Sequence, residues 1–313
     1  MKAVLRFLTT ALVVLLSGVV LAQSLYKYRG PDGEWVFTDR RPTGDAEIEV
    51  RELSRGDPDP RVHVAYEIEG DHINLYARND YHAPVQLVLG LDEIRGVDRP
   101  PPEQSLRFVV PPLTQKDLLL GFRIQPEAES PLVAYRYLYL LGDPAAAHRP
   151  ARPYRAPFAV AATHVVSQAF PDAITHNTRD SAYAVDIAMP VGTDVYAARG
   201  GVVVDVASTN FRGGTDTSQE GAEANIVRIL HDDGTYAIYA HLNWNAIRVR
   251  PGDVVTRGQY IADSGNTGFS SGPHLHFVVL KNSDMRVESL PVSFEGPNGE
   301  GITPERGMSL TAY

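Results

Sequence analysis

The chain has 313 residues, 43% of them hydrophobic and 21% charged, enough for two domains with a buried core. A formal net charge of -9 argues against nucleic acid as a partner, which requires a basic surface. There is no cysteine, so disulfide frameworks and thiolate zinc sites are excluded and any metal must be held by His, Asp or Glu.

Residues 1–22 read as a secretory signal peptide. Lys2 and Arg6 give a positive start, Phe7 to Val20 is mostly apolar, and Ala22 stands at a plausible cleavage point. Thr9, Thr10, Ser17 and Gly18 interrupt an apolar run already short for a membrane span. No later stretch reaches that length, so the expectation is an exported, periplasmic or secreted protein with no membrane span in the mature chain. Residues 23–45 contain two aromatic-rich runs around the turn signal Gly30-Pro31-Asp32-Gly33, which predicts a small hairpin domain. Its Tyr-Lys-Tyr, Asp-Gly and Phe-Thr-Asp-Arg residues resemble a small domain of unknown function found after the signal peptide of many Gram-negative exported proteins.

Residues 46–142 alternate with period two: Val62, Val64, Tyr66, Ile68; Ile73, Leu75, Ala77; Val85, Leu87, Leu89, Leu91; Tyr135, Tyr137, Tyr139, Leu141. Such runs between Gly, Pro, Asn and Asp clusters predict an antiparallel β-sandwich, a binding module or a spacer. His63, His72 and His82 lack ligand spacing and read as surface or structural residues. The proline-rich stretch 143–157 reads as an extended linker. A second domain, 158–280, offers strands at 184–188, 201–206, 225–230, 235–241, 259–263 and 274–280, with a hairpin turn at Asp232-Asp233-Gly234. No long helix is expected, so the chain as a whole is predicted to be all-β. Residues 281–313 read as a mostly irregular C-terminal tail.

The chemistry gathers in the second domain. After the glycine-rich stretch Ser264-Gly-Asn-Thr-Gly-Phe-Ser-Ser-Gly-Pro come His274-Leu-His276 on a predicted strand, where both histidines share a face. His176, Asp186 and His241 precede them. Two imidazoles and one carboxylate make a three-ligand Zn2+ site with a fourth position open, and two further imidazoles supply a general base and an oxyanion donor. His231 and His164 read as structural, and Tyr239 either lines the groove or packs in the core. There is no His-Glu-x-x-His. Gly268-Phe-Ser270-Ser-Gly272 matches a nucleophile elbow in letters only, since Pro273 and a strand follow it instead of a helix.

Residues 155–280 resemble the catalytic domain of the M23 (lysostaphin/LytM-type) zinc metallopeptidases. The shared stretches are Tyr183-Ala-Val-Asp186-Ile-Ala-Met-Pro-Val-Gly-Thr, Ala197-Ala-Arg-Gly-Gly-Val-Val, Asn225-Ile-Val-Arg-Ile-Leu-His-Asp-Asp-Gly-Thr, Tyr239-Ala-His-Leu, Val249-Arg-Pro-Gly-Asp-Val-Val and the Gly-Pro-His-Leu-His-Phe block. The resemblance implies a mostly antiparallel β-sheet peptidase domain of residues 158–280. It makes Asp186 and His276 metal ligands, His241 and His274 the catalytic pair, and peptidoglycan stem peptides the substrate, with room for a protein regulator. One position departs. The family's first pair is His-x-x-x-Asp, but Ala182 stands four residues before Asp186. The reading here is a longer loop that returns His176 to the metal. The rivals are Asp180 as ligand, or a lost ligand and a non-catalytic module that binds peptidoglycan or regulates another hydrolase.

Overall fold

A computed structural model describes residues 23–29, 35–38, 49–53, 61–98, 106–215 and 223–313. The expected signal peptide lies outside the described residues. Two units are distinguished, Met1–Pro60 and Arg61–Tyr313. In the first, β1 (Gln23–Arg29) pairs antiparallel with β2 (Trp35–Thr38) and, on its other edge, with β3 (Glu49–Leu53). The expected hairpin therefore gains a third strand. A two-stranded hairpin alone is marginal in water.

The second unit opens with β4 (Val62–Glu69), β5 (His72–Asn79), β6 (Val85–Arg95), β7 (Leu106–Val110), β8 (Thr114–Arg123) and β9 (Leu132–Leu141). They form two three-stranded antiparallel sheets, β4-β5-β8 and β7-β6-β9. Alternate residues turn inward, so Ile73, Leu75, Ala77, Val85 and Leu87 share one core. The hydroxyls of Tyr135 and Tyr137 on one sheet donate to the carbonyls of Val64 (2.8 Å) and Val62 (3.2 Å) on the other. This is the sandwich the alternation predicted.

The next strands are β10 (Thr163–Gln168), β11 (Val185–Ala188), β12 (Asp194–Tyr196), β13 (Gly201–Ala207) and β14 (Gly213–Gly214). After them come β15 (Asn225–Leu230), β16 (Tyr236–Leu242), β17 (Val254–Val255), β18 (Tyr260–Asp263), β19 (Gly268–Phe269) and β20 (His274–Asn282). The chain ends with β21 (Val287–Leu290), β22 (Phe294–Glu295), β23 (Gly301–Ile302) and β24 (Ser309–Thr311). One large sheet runs β17-β13-β15-β16-β20-β11-β10-β24, with β21 also on β20. Among the described residues there is no helix, and none long and apolar enough to cross a membrane. The stretch 281–313, expected to be irregular, supplies β21 and β24. Each is held by pairing with a strand distant from it or by a neighbour, not by a pattern of its own.

The central strand β20 is buried on both faces. Leu275, Phe277 and Val279 enter the large sheet's own core, while Val278 and Leu280 join the core of the sandwich. Val203 and Val204 on β13, and Ala237 and Tyr236 on β16, divide in the same way. Gln86 of β6 fastens the contact with its Oε1, which accepts from Asn282 Nδ2 and from the Met285 amide, both at 2.9 Å. Tyr154 and Ala156, from the proline-rich stretch, are also buried in the large sheet's core.

Burying a Val, Leu or aromatic side chain is worth about 1.5–3 kcal/mol. Deleting residues 61–142 would expose Val204, Tyr236, Val278 and Leu280 together, at a cost comparable to a domain's whole stability of about 5–15 kcal/mol. A chain so shortened is expected to lose cooperative unfolding and to bind a hydrophobic dye. A sharp thermal transition near the parent's would refute this.

Candidate metal centre

The site starts from register. On adjacent strands β11 and β20, Asp186 lies opposite His276 and Ala188 opposite His274. Asp186 is only 3% exposed. Its Oδ1 accepts from His276 Nδ1 at 2.8 Å, and its Oδ2 lies 3.2 Å from His176 Nε2 and 3.7 Å from His274 Nε2. Burial by itself would push this carboxyl up. Hydrogen bonds from His176 and then His276 outweigh it and hold Asp186 well below the usual carboxylate range.

His176 arrives from the loop between β10 and β11, and it is 9% exposed. The residues after it turn tightly, with the amides of Ser181 and Ala182 both donating to the carbonyl of Thr178 (3.1 and 2.8 Å). That turn takes up the extra length between His176 and Asp186. Asp180 accepts from the Thr178 hydroxyl at 2.5 Å within the same turn, and it is exposed. Among the described residues, the ligand atoms that lie within 4.8 Å of one another belong to His176, Asp186 and His276. Two imidazole nitrogens and one carboxylate, with no thiol, are a donor set that could hold a metal ion such as zinc.

His241 and His274 flank this cluster, their ring centroids 4.5 Å apart. His241 Nδ1 donates to the Thr267 carbonyl at 2.6 Å, and His274 Nδ1 to the Gly272 carbonyl at 2.8 Å. A carbonyl can only accept, so each ring carries a proton on Nδ1 and turns Nε2 away from that carbonyl. Burial, then the neighbouring His274, pushes His241 down to about 4 from an ordinary 6.5, so it is neutral at neutral pH.

Strand alternation predicts that His241 shares a face with Tyr239, but the two part company. Asn225 pairs with Leu242 and Val227 with Tyr239, so Ala240 and His241 oppose the single residue Ile226 in a bulge. His241 also has φ 60°, in the left-handed region. Tyr239 goes into the core, where its hydroxyl accepts from the Ala198 amide at 2.7 Å, and His241 goes to the cleft.

The cleft has a volume of about 440 Å³. His176, Asp186, His241, His274 and His276 line it together with Gln168, Thr175, Thr215, Phe269 and Ser270. One wall is built by Gly213–Gly214 pairing in parallel with Gly268–Phe269. A Cβ at position 213 would meet the Asn266 carbonyl oxygen at 1.6 Å, so only glycine fits there. Of the described residues in 208–224, Thr215 lines the cleft.

The remaining histidines lie elsewhere. His231 is buried and donates to the Gly200 carbonyl, and His164 packs edge-on against Phe158. Gln168 and Thr267 are polar partners that motif reading passed over. Thr267 stands in the Gly-Asn-Thr-Gly stretch and Gln168 opens the segment 168–176 that resembles the family's lead-in to the first ligand, but neither motif shows that Thr267 holds His241 or that Gln168 reaches Asp186.

Residues 180–287 match the family model for Peptidase family M23. The glycyl-glycine endopeptidase ALE-1 of Staphylococcus capitis is 39% identical over 133 residues, covering 42% of this chain and 33% of that one. Lysostaphin of Staphylococcus simulans is 37% identical over 140 residues, covering 42% and 26%. The peptidoglycan DD-endopeptidase ShyA of Vibrio cholerae is 40% identical over 95 residues, covering 30% and 19%. The matches thus span a third or less of these relatives. Among solved structures, a mutant catalytic domain of the prophage-encoded M23 protein EnpA from Enterococcus faecalis aligns at 28% identity. It covers 45% of this chain and 88% of that one, with a TM-score of 0.30. Through residues 180–287, the chain carries a domain of peptidase family M23.

Proposed function

We propose that the chain is a zinc-dependent endopeptidase that hydrolyses peptide bonds of bacterial cell-wall peptidoglycan, with His176, Asp186 and His276 as metal ligands and His241 and His274 as catalytic residues. The observation that carries the reading is the convergence of five groups in one cleft: a three-donor cluster and, beside it, two imidazoles each held through Nδ1 by a backbone carbonyl. The names of the relatives, glycyl-glycine and DD-endopeptidases, support the substrate class.

At His176, Asp186 and His276 a zinc ion supplies Lewis acidity and a water whose pKa is lowered to about 7. The chain's own residues do the rest. Asp186 stays ionised and orients His276 through its 2.8 Å hydrogen bond. The carbonyls of Thr267 and Gly272 fix the tautomers of His241 and His274, so that Nε2 of one takes the proton of the attacking water. That imidazolium would then deliver its Nε2 proton to the leaving amine, with the other ring beside the developing oxyanion. Two rings 4.5 Å apart do not readily both become cations, so the pair carries one added proton at a time. A wall substrate places the enzyme outside the cytoplasmic membrane, in the periplasm or beyond, in keeping with the reading of residues 1–22.

The test is the soluble muropeptide profile after residues 23–313, loaded with zinc, are incubated with purified peptidoglycan. New uncross-linked or shortened peptides, absent with chelator, are expected and would name the bond. An unchanged profile from folded, zinc-loaded protein would overturn the proposal.

A further inference from the structure

His176 turns its Nε2 to Asp186 Oδ2 at 3.2 Å, but among the described residues nothing holds its other ring nitrogen. Its Nδ1 is buried without a partner, and no strand lies between β10 and β11. A metal-ligating histidine ordinarily donates its second ring N–H to a carboxylate, carbonyl or water, which fixes the ring's orientation. At His176 the support on view is the loop that carries it.

Gln168 supplies it. This last residue of β10 follows a bulge at Ser167, where Val166 pairs with Ile187 but Gln168 with Asp186, so the chain delivers Gln168 opposite the carboxylate. Its Oε1 accepts the backbone amides of Ile174 (2.7 Å) and Thr175 (3.0 Å), immediately before His176. Backbone N–H groups can only donate, so the amide oxygen must face them and the NH2 must face the other way. There Nε2 donates to Asp186 Oδ2 at 2.6 Å and to the Thr175 hydroxyl at 3.0 Å.

We propose that Gln168 is a positioning residue for the metal site. One side-chain amide ties the carboxylate ligand to the backbone next to the histidine ligand. It thereby sets the Asp186–His176 separation that a one-turn His-x-x-x-Asp spacing would otherwise set. The inference rests on the zinc reading above. The side chain must accept on one side and donate on the other. Leucine has similar bulk and does neither, whereas glutamate keeps the acceptors and turns a second negative charge toward Asp186.

The test compares zinc dissociation constants, by competition with a chromophoric chelator, for the full chain and for Gln168→Leu and Gln168→Glu. The visible spectra of the cobalt-loaded proteins and the thermal midpoints of the metal-free proteins complete it. Zinc binding about 10–100-fold weaker in both variants is expected, with an altered cobalt spectrum. A purely structural glutamine would lower the metal-free midpoint and leave the affinity of folded protein unchanged. Affinities within threefold of the parent's, in variants that are folded, would overturn the inference alone. If Gln168→Leu does not fold, Gln168→Glu decides by the same criterion, since it keeps the bonds to the loop. A parent chain that binds no zinc would overturn the metal reading and this inference together.

Discussion

Asp186→Ala is expected to abolish zinc binding and peptidoglycan hydrolysis together. Asp186 is the common partner of the cluster: one oxygen serves His276 and the other lies near His176, His274 and Gln168. Its loss would remove a proposed ligand and also the carboxylate that His176 and His276 face. Losing a supporting partner of a metal ligand costs about 10–100-fold in affinity, so loss of the ligand itself should exceed about 100-fold. His276→Ala should behave alike. Chelator competition and muropeptide release provide the two readouts. Parental zinc affinity in Asp186→Ala would remove it from the metal site, and hydrolysis persisting in both variants would remove the site from the chemistry.

The second large effect separates binding from chemistry. Substituting His241 or His274 should leave zinc bound while kcat falls by about 10²–10⁴-fold, the usual worth of a positioned general acid or base. If the two act as one proton-handling pair, the double variant should be scarcely worse than either single variant. Multiplicative losses would argue for independent roles. The choice of replacement matters at position 241, where φ is 60°. Alanine is strained there, whereas asparagine tolerates the left-handed region, so His241→Asn tests the imidazole with the bulge preserved. The low value of His241 also has a consequence for stability. The unfolded chain takes up a proton near 6.5 and the folded one only near 4, so metal-free protein loses stability as pH falls between them. His241→Asn should flatten that dependence in urea titrations, and an unchanged slope would show that His241 does not contribute to it.

Much of this was legible in the chain itself. Alternating Val, Leu, Ile and Tyr residues marked the sandwich strands, and short apolar runs marked β13, β15, β16 and β20, because side-chain direction in a strand has a period of two and needs no distant information. His274-Leu-His276 announced two imidazoles on one face for the same reason. Resemblance in motif order then joined them to Asp186 and His241.

Other features depended on which residues the fold brings together. Nine residues lie between His176 and Asp186 in sequence, and nothing local says that the turn at 178–182 closes the gap or that Gln168 clamps it. His241 and Tyr239 should share a face by period, but a bulge created by pairing with β15 sends them to opposite sides. Tyr154, in a stretch that reads as a linker, is buried because the large sheet offers it a place among Phe277 and Phe294. Val278 and Leu280 mark β20 as apolar without saying that the sandwich covers them. A period reports the faces of a single strand. Register, bulges and shared cores are set by hydrogen bonds and contacts between residues far apart in the chain, and these exist only once the sheets have assembled.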